Sequence, residues 1–140
     1  MKKNSLFNRE HDYSLRITAF LASLDKDEII NVSSISKKLH LSKIFTARII
    51  HKLRVANIVG SVQGKYGGFY LKANSEEISI WDVLNAMGYK VRLNDCMDEN
   101  FFCDLMFGCQ FHTFFIGLEQ NIFEQLKQQK ISDYIFRFTK

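Results

Sequence analysis

The sequence predicts a mostly α protein with a small β-hairpin wing, arranged as a winged helix-turn-helix plus a long C-terminal dimerisation helix. Three observations lead there. Apolar residues recur every three or four positions in several separate segments, which is the period of amphipathic helices. Residues 58–72 alternate like two strands around a glycine-rich turn. Charge is divided as well: residues 1–72 carry thirteen Lys and Arg against five Asp and Glu, whereas residues 73–140 carry six against ten.

The first helix is expected over residues 12–24, where Leu15, Ile17, Ala19, Phe20, Leu21 and Leu24 form one broad face and Asp12 or Ser14 is available as N-cap. Asp25-Lys26-Asp27-Glu28 reads as a surface turn, and Ile29-Ile30-Asn31-Val32 as a short β-branched segment. Ser33-Ser34 then caps a short helix ending at Leu39, and His40-Leu41-Ser42 makes a tight turn. Ser42 caps the next helix, Lys43 to Ala56, with Phe45, Ile49, Leu53 and Ala56 as its buried stripe. Its opposite side carries Lys43, Thr46, Ala47, Arg48, His51 and Arg54. Two short helices joined by a few residues, the second basic and amphipathic, suit a helix-turn-helix, in which one helix braces and the other enters the major groove.

Ile58-Val59-Gly60-Ser61-Val62-Gln63 alternates like a strand, Gly64-Lys65-Tyr66-Gly67-Gly68 supplies a turn able to take positive φ, and Phe69-Tyr70-Leu71-Lys72 returns as its partner. A hairpin directly after a recognition helix is a wing, and Lys65 and Tyr66 among glycines could approach a sugar-phosphate backbone closely. A further helix is expected across residues 76–87, capped near Ser79 and stopped at Gly88, with Ile80, Val83, Leu84 and Met87 inward and Trp81 in the core or an interface. From Phe111 onward, Phe111, Phe115, Leu118, Ile122 and Leu126 repeat at helical spacing, with Phe114 and Phe123 widening the stripe. One winged helix cannot cover so much late aromatic surface, so pairing with a second copy is expected, alongside packing against the first helix. Residues 131–138 are expected to fold back as a final short helix.

A chain of 140 residues, 46% hydrophobic with 13 Phe, is long enough to bury one core, which excludes a disordered chain. No secretory segment or membrane-length apolar run is seen, so a cytoplasmic location with no membrane partner is expected. The basic half points to a polyanion, since neutralising phosphates releases counterions. No nucleophile–base pair, phosphate loop or paired-carboxylate pattern is present, which argues against an enzyme.

Cys96, Cys103 and Cys109 are the only cysteines. Gaps of six and five residues differ from the two-residue spacing of a zinc knuckle or thioredoxin-type pair. An odd, clustered count in a reducing compartment speaks for metal binding or thiol chemistry rather than a disulfide framework.

The order Asp12-Tyr13-Ser14-Leu15-Arg16, Leu41-Ser42, Leu53-Arg54, Ile58-Val59, Ser61-Val62, Gly64, Gly67-Gly68, Leu71, Ile78 and three downstream cysteines resembles the iron-sulfur winged-helix transcription regulators of the NsrR and IscR type. The similarity covers roughly residues 10–130, and its most specific part joins the 61–71 wing to the cysteine triplet. The resemblance implies a homodimer that binds a double-stranded DNA operator as a repressor. Cys96, Cys103 and Cys109 would be thiolate ligands of a 2Fe-2S or 4Fe-4S cluster responding to nitric oxide or another redox signal. Two groups compete for the fourth position: Asp12 from the partner subunit, matching the NsrR branch, and His112, three residues after the last cysteine, matching the IscR branch. The Asp12–Arg16 match is closer to the nitric-oxide-sensing NsrR branch. The resemblance departs at Gln63, where the family's wing carries arginine.

On this reading residues 1–88 form the DNA-binding domain, 89–109 the cysteine cluster-binding loop, and 110–140 the dimerisation helix and C-terminal segment. Ser42, Lys43, Ile44 and Ala47 should read bases, Arg48, Lys52 and Arg54 should hold phosphates or structure, and Ser33, Gln63, Lys65 and Tyr66 should contact the DNA as well. Two alternatives stand beside it. One keeps the DNA binding but makes the cysteines with His112 a structural zinc site or an oxidisable thiol set; the other is a small iron-sulfur electron-transfer protein.

Overall fold

A computed structural model describes residues 5–135. Helix α1 (Arg9–Ala22) begins earlier than its apolar period suggests, because Asn8, not Asp12 or Ser14, is the cap. Asn8 Oδ1 accepts from the His11 amide at 2.8 Å, and His11 Nδ1 accepts from the Asn8 amide at 3.2 Å. This reciprocal box satisfies two of the amides that a helix start leaves unpaired. Asp12 therefore lies inside the helix, where it pairs with Arg16 one turn on at 2.9 Å. Ser14 is buried; its hydroxyl donates to the His11 carbonyl at 2.7 Å, and Thr18 does the same to Ser14 at 2.8 Å. Small hydroxyls paired to their own helix can enter a core without an unmet polar group.

Helix α2 (Val32–Leu39) is capped by Asn31 rather than Ser33-Ser34, and it ends at His40 in the left-handed region, φ 55°. Helix α3 (Lys43–Val55) is capped as expected: Ser42 Oγ accepts from the Phe45 amide at 3.2 Å. Its buried stripe is Thr46, Ile49, Ile50 and Leu53. Thr46 was expected on the outer side, yet it packs inward because its hydroxyl donates to the Ser42 carbonyl at 2.8 Å. Ala56, expected inside, is exposed at the C-cap, one position past the helix.

Strands β1 (Val59–Val62) and β2 (Gly68–Leu71) form an antiparallel hairpin with Val59 opposite Leu71 and Val62 opposite Gly68. The expected short strand near Ile29 reduces to one bridge, in which Ile30 exchanges both main-chain hydrogen bonds with Phe69. Helix α4 (Ile80–Ala86) starts at a Ser79–Asp82 capping box and is followed by Gly88 at φ 78°, close to the expected limits.

Helix α5 (Gln110–Gln128) has no fully buried residue. It packs on α4, where Trp81 meets Phe123 edge-on with ring centres 4.7 Å apart. Beyond α5 the chain returns to the winged helix: the Ile80 amide donates to Gln129, Ile131 to Ile78, and Ser132 to Ser75. Ile131, 1% exposed, joins the core of Ile17, Phe20, Ile35, Ile49, Leu53 and Val83 at the start of a short 3-10 turn, Ile131–Tyr134. The expected final helix is thus shortened to this turn, and residues 136–138 lie outside the described residues. Each such apolar side chain contributes roughly 1.5–3 kcal/mol when removed from water. No helix among the described residues is long and apolar enough to cross a membrane.

The α1 start is also tied to α4. Tyr89, 5% exposed, places its ring 5.2 Å from Phe7, 5.0 Å from His11 and 6.2 Å from Trp81. Burial raises the Tyr89 phenol pKa and lowers that of His11. The His11 shift agrees with its bonding, since only neutral imidazole can accept at Nδ1. Folded protein therefore takes up a proton at His11 less readily than unfolded chain does. Below the usual histidine value, about 6.5, the unfolded chain binds more protons and stability falls with acidification until the lowered folded value is passed. Urea denaturation from pH 7.5 downward should show this loss. In His11→Gln, whose amide oxygen keeps the box without titrating, the dependence through that window should flatten.

Candidate nucleic-acid interface and cysteine cavity

The first turns of α3 project from the surface. Ser42, Lys43, Ala47 and Arg48 are exposed, and Ile44 is 86% exposed although it is a large apolar residue. Not every expected reader is free to act. Ser42 Oγ is taken up as an acceptor by the cap, and the Arg48 guanidinium lies 4.8 Å over the Phe45 ring, which itself packs edge-on against Tyr13 of α1. Lys52 is half-buried and bound to Glu10 of α1. That ion pair ties the recognition helix to the first helix. Ser33 is half-buried in the first turn of α2.

The hairpin tip carries Gln63, Lys65 and Tyr66, all exposed, with Tyr66 at 86% and the Lys65 ammonium 5.6 Å over its ring. Gly64 has φ 114°, and the Gly67 amide donates to Gly64 O at 3.0 Å. A Cβ on Gly67 would lie 2.1 Å from the Val62 carbonyl oxygen, so the turn closes only without a side chain there. Between α3 and the hairpin lies a concavity of about 440 Å³ lined by His51, Arg54 and Lys72, with Asn57, Ser61 and Tyr70. Lys72 carries no signal in the sequence for this role, since only the return of β2 brings it beside α3.

The three cysteines converge. Cys96 lies in a 3-10 turn, Asp95–Met97, and Cys109 is the residue before α5, where unpaired helix amides favour negative charge. The Met106 amide donates to Cys103 O at 3.2 Å and the Cys109 amide to Met106 O at 3.3 Å, so successive turns bring Cys103 towards Cys109. All three are half-buried free thiols lining one cavity of about 550 Å³ together with His112. Phe101, Met106, Phe111 and Phe115 form its apolar walls. Periodicity could have found Phe111 and Phe115, but not Phe101 or Met106. His112 Nδ1 is buried and has no hydrogen-bond partner. Among the described residues no three His, Cys, Asp or Glu side chains sit close enough to hold a single metal ion.

The loop is anchored at its base. Glu119 of α5 accepts from the Leu93 amide at 2.7 Å, and Arg92 pairs with Asp98 at 3.0 Å. An Asn100 amide bond and this guanidinium hold the Asp98 carboxyl below the usual carboxylate range. Asp12 does not line the cysteine cavity of its own subunit. It borders a separate groove with Ser5, Phe7, Asn8, Arg9 and Leu15.

A family model named Rrf2, described as an iron-dependent transcriptional regulator, matches residues 7–136. The HTH-type transcriptional regulator NsrR of Bacillus subtilis (strain 168) is 30% identical over 89 residues, 64% of this chain and 61% of its own length. An HTH-type transcriptional regulator of Aquifex aeolicus (strain VF5) is 32% identical over 92 residues, 66% of this chain and 63% of its own. These matches thus span less than two thirds of either relative. Among solved structures, CymR of B. subtilis, named as its global cysteine regulator, superposes with TM-score 0.74 at 21% identity, covering 91% of this chain and 94% of that one. IscR of T. potens gives TM-score 0.71 at 20% identity, covering 91% and 84%. At that identity the two structures speak for the winged-helix fold.

The close approach at Gly67 gives a direct check on the wing. Gly67→Ala should lower stability by at least about 1 kcal/mol in urea denaturation, because the added carbon meets backbone that cannot move aside alone. Lys65→Ala, at the exposed tip, should leave stability within about 0.5 kcal/mol of the parent.

Proposed function

The chain belongs to the Rrf2 family of transcriptional regulators, and from that premise we propose that it is a dimeric, operator-binding repressor whose DNA affinity is set by an iron-sulfur cluster. One observation carries the proposal: Cys96, Cys103, Cys109 and His112 line one cavity, and the Nδ1 of the same His112 is buried without a hydrogen-bond partner. A buried, unpaired imidazole nitrogen costs free energy unless something binds it. Three soft thiolates and an imidazole are donors suited to an iron-sulfur cluster. Cys96, Cys103 and Cys109 would hold the cluster with His112 as the fourth donor in the same subunit. Asp12 of the partner subunit is the competing donor; within its own subunit it is engaged by Arg16.

When bound, such a cluster would supply iron sites open to nitric oxide or oxygen. The surrounding residues do the rest. Phe101, Phe111 and Phe115 wall the cavity beside the thiols, the Glu119–Leu93 contact holds the loop against α5, and the Arg92–Asp98 pair braces the loop itself. Release of the cysteines would leave the loop held by those contacts alone, and the change would pass through α5 and the Phe123–Trp81 contact to the winged helix. The second copy would cover Phe111, Phe114 and Ile116 on α5, which are 74, 63 and 49% exposed.

Anaerobic purification should give a coloured protein containing iron and sulfide, whose visible absorbance bleaches with nitric oxide as operator retention falls. Cys96→Ser, Cys103→Ser and Cys109→Ser should each lose the colour. His112→Ala should bind less iron while Asp12→Ala keeps it; the reverse pattern would move the fourth donor to the partner subunit. A colourless protein that binds zinc, with retention unchanged by nitric oxide, would refute the cluster reading.

A further inference from the structure

We infer that α3 reads its operator chiefly through the 5-methyl groups of thymines, contacted by Ile44 with Ala47 beside it. This rests on the DNA-binding reading above and names the chemistry it recognises. The argument begins with what the face lacks. Sequence-specific hydrogen-bond readout relies on forked groups such as Arg, Asn or Gln aimed at base edges. The first two turns of α3 contain one such side chain, Arg48, and it lies over the Phe45 ring.

The other polar groups there are largely occupied. Ser42 Oγ accepts the Phe45 amide, leaving only its proton to donate, and Thr46 is buried with its hydroxyl on Ser42 O. Lys52 is bound to Glu10. Lys43 remains, a flexible point charge that suits a phosphate better than a particular base.

What the face offers instead is Ile44, 86% exposed, with exposed Ala47 three residues on and therefore on the same side of the helix. A side chain so exposed contributes nothing to the core. In the major groove only thymine presents a methyl group, and aliphatic side chains pack on it. The wing's forked group, Gln63, sits at the tip of the hairpin rather than on the α3 face.

The test uses the full chain, purified anaerobically, and the duplex it selects from a random pool. Each thymine of that duplex is replaced in turn by deoxyuridine, which removes only the 5-methyl group. At one or more positions in each half-site the replacement should weaken binding about fourfold, the factor corresponding to about 0.8 kcal/mol for one methyl-sized apolar group. Ile44→Ala, which alters an exposed side chain and should fold normally, should bind the thymine and uracil duplexes equally. Two results overturn the inference while leaving DNA binding intact: every deoxyuridine tolerated within twofold, or an Ile44→Ala protein that still discriminates. Failure to retain any duplex at low salt would instead remove the DNA-binding reading, and this inference with it.

Discussion

The structure depends on the return of the chain after α5. Ile131 enters the core between α1 and the winged helix, and residues 129–132 bond through their main chain to residues 75–80. α5 has no fully buried residue even so, and without that return it would be held by its contact with α4 around Phe123 and Trp81 and by the loop. In proteins most of a helix's stability comes from packing of its apolar face. With the return in place, the C-terminal end of α5 becomes part of the DNA-binding unit, while its N-terminal end stays with the cysteines. α5 thereby runs from the cysteine cavity to the winged helix.

A second constraint operates inside the winged helix. Ser14, Thr18 and Thr46 are fully buried, and each hydroxyl bonds to a carbonyl three or four residues back in its own segment. Local pairing lets α1 and α3 pack closely without a polar network between them. It also removes those hydroxyls from the pool that could meet a ligand. The Lys52–Glu10 pair acts in the same direction, drawing a basic side chain from the recognition helix into the α1–α3 contact. The outer face of α3 is consequently less polar than its composition implies.

Legibility followed the range of the interaction. The Ser42 cap, the cap at Ser79, the Gly88 stop and the hairpin around Gly64 and Gly67 are encoded within three or four residues, and the sequence alone places them; the Asp82 side of the Ser79 box shows only in the structure. Asn8 was missed as a cap because its partner is a histidine rather than the usual Glu or Gln. Thr46 reads as an outer residue from helical period, whereas its hydroxyl pairs with Ser42 O and lets it pack inward; the partner of Lys52, Glu10, lies on α1, distant in sequence. The cysteine site shows both cases. Cys96, Cys103, Cys109 and His112 stand out as donors, but the walls supplied by Phe101 and Met106 depend on how the loop folds over α5.

The geometry of α5 explains why a small event at the cysteines can matter at a distance. Cys109 lies at the start of the helix, and Phe123, its contact with Trp81, lies fourteen residues further on. At about 1.5 Å per residue that separation is about 20 Å. The distal end of α5 is held by residues 129–132, so a rotation of about 5° about Phe123 would correspond to a displacement of about 1.8 Å at Cys109. A shift of that size exceeds what close-packed side chains absorb without changing neighbours. Under the proposed cluster reading, a ligand drawing Cys96, Cys103 and Cys109 together would bear on the Phe123–Trp81 contact. Any coupling carried this way between the two ends would by linkage be equal in both directions.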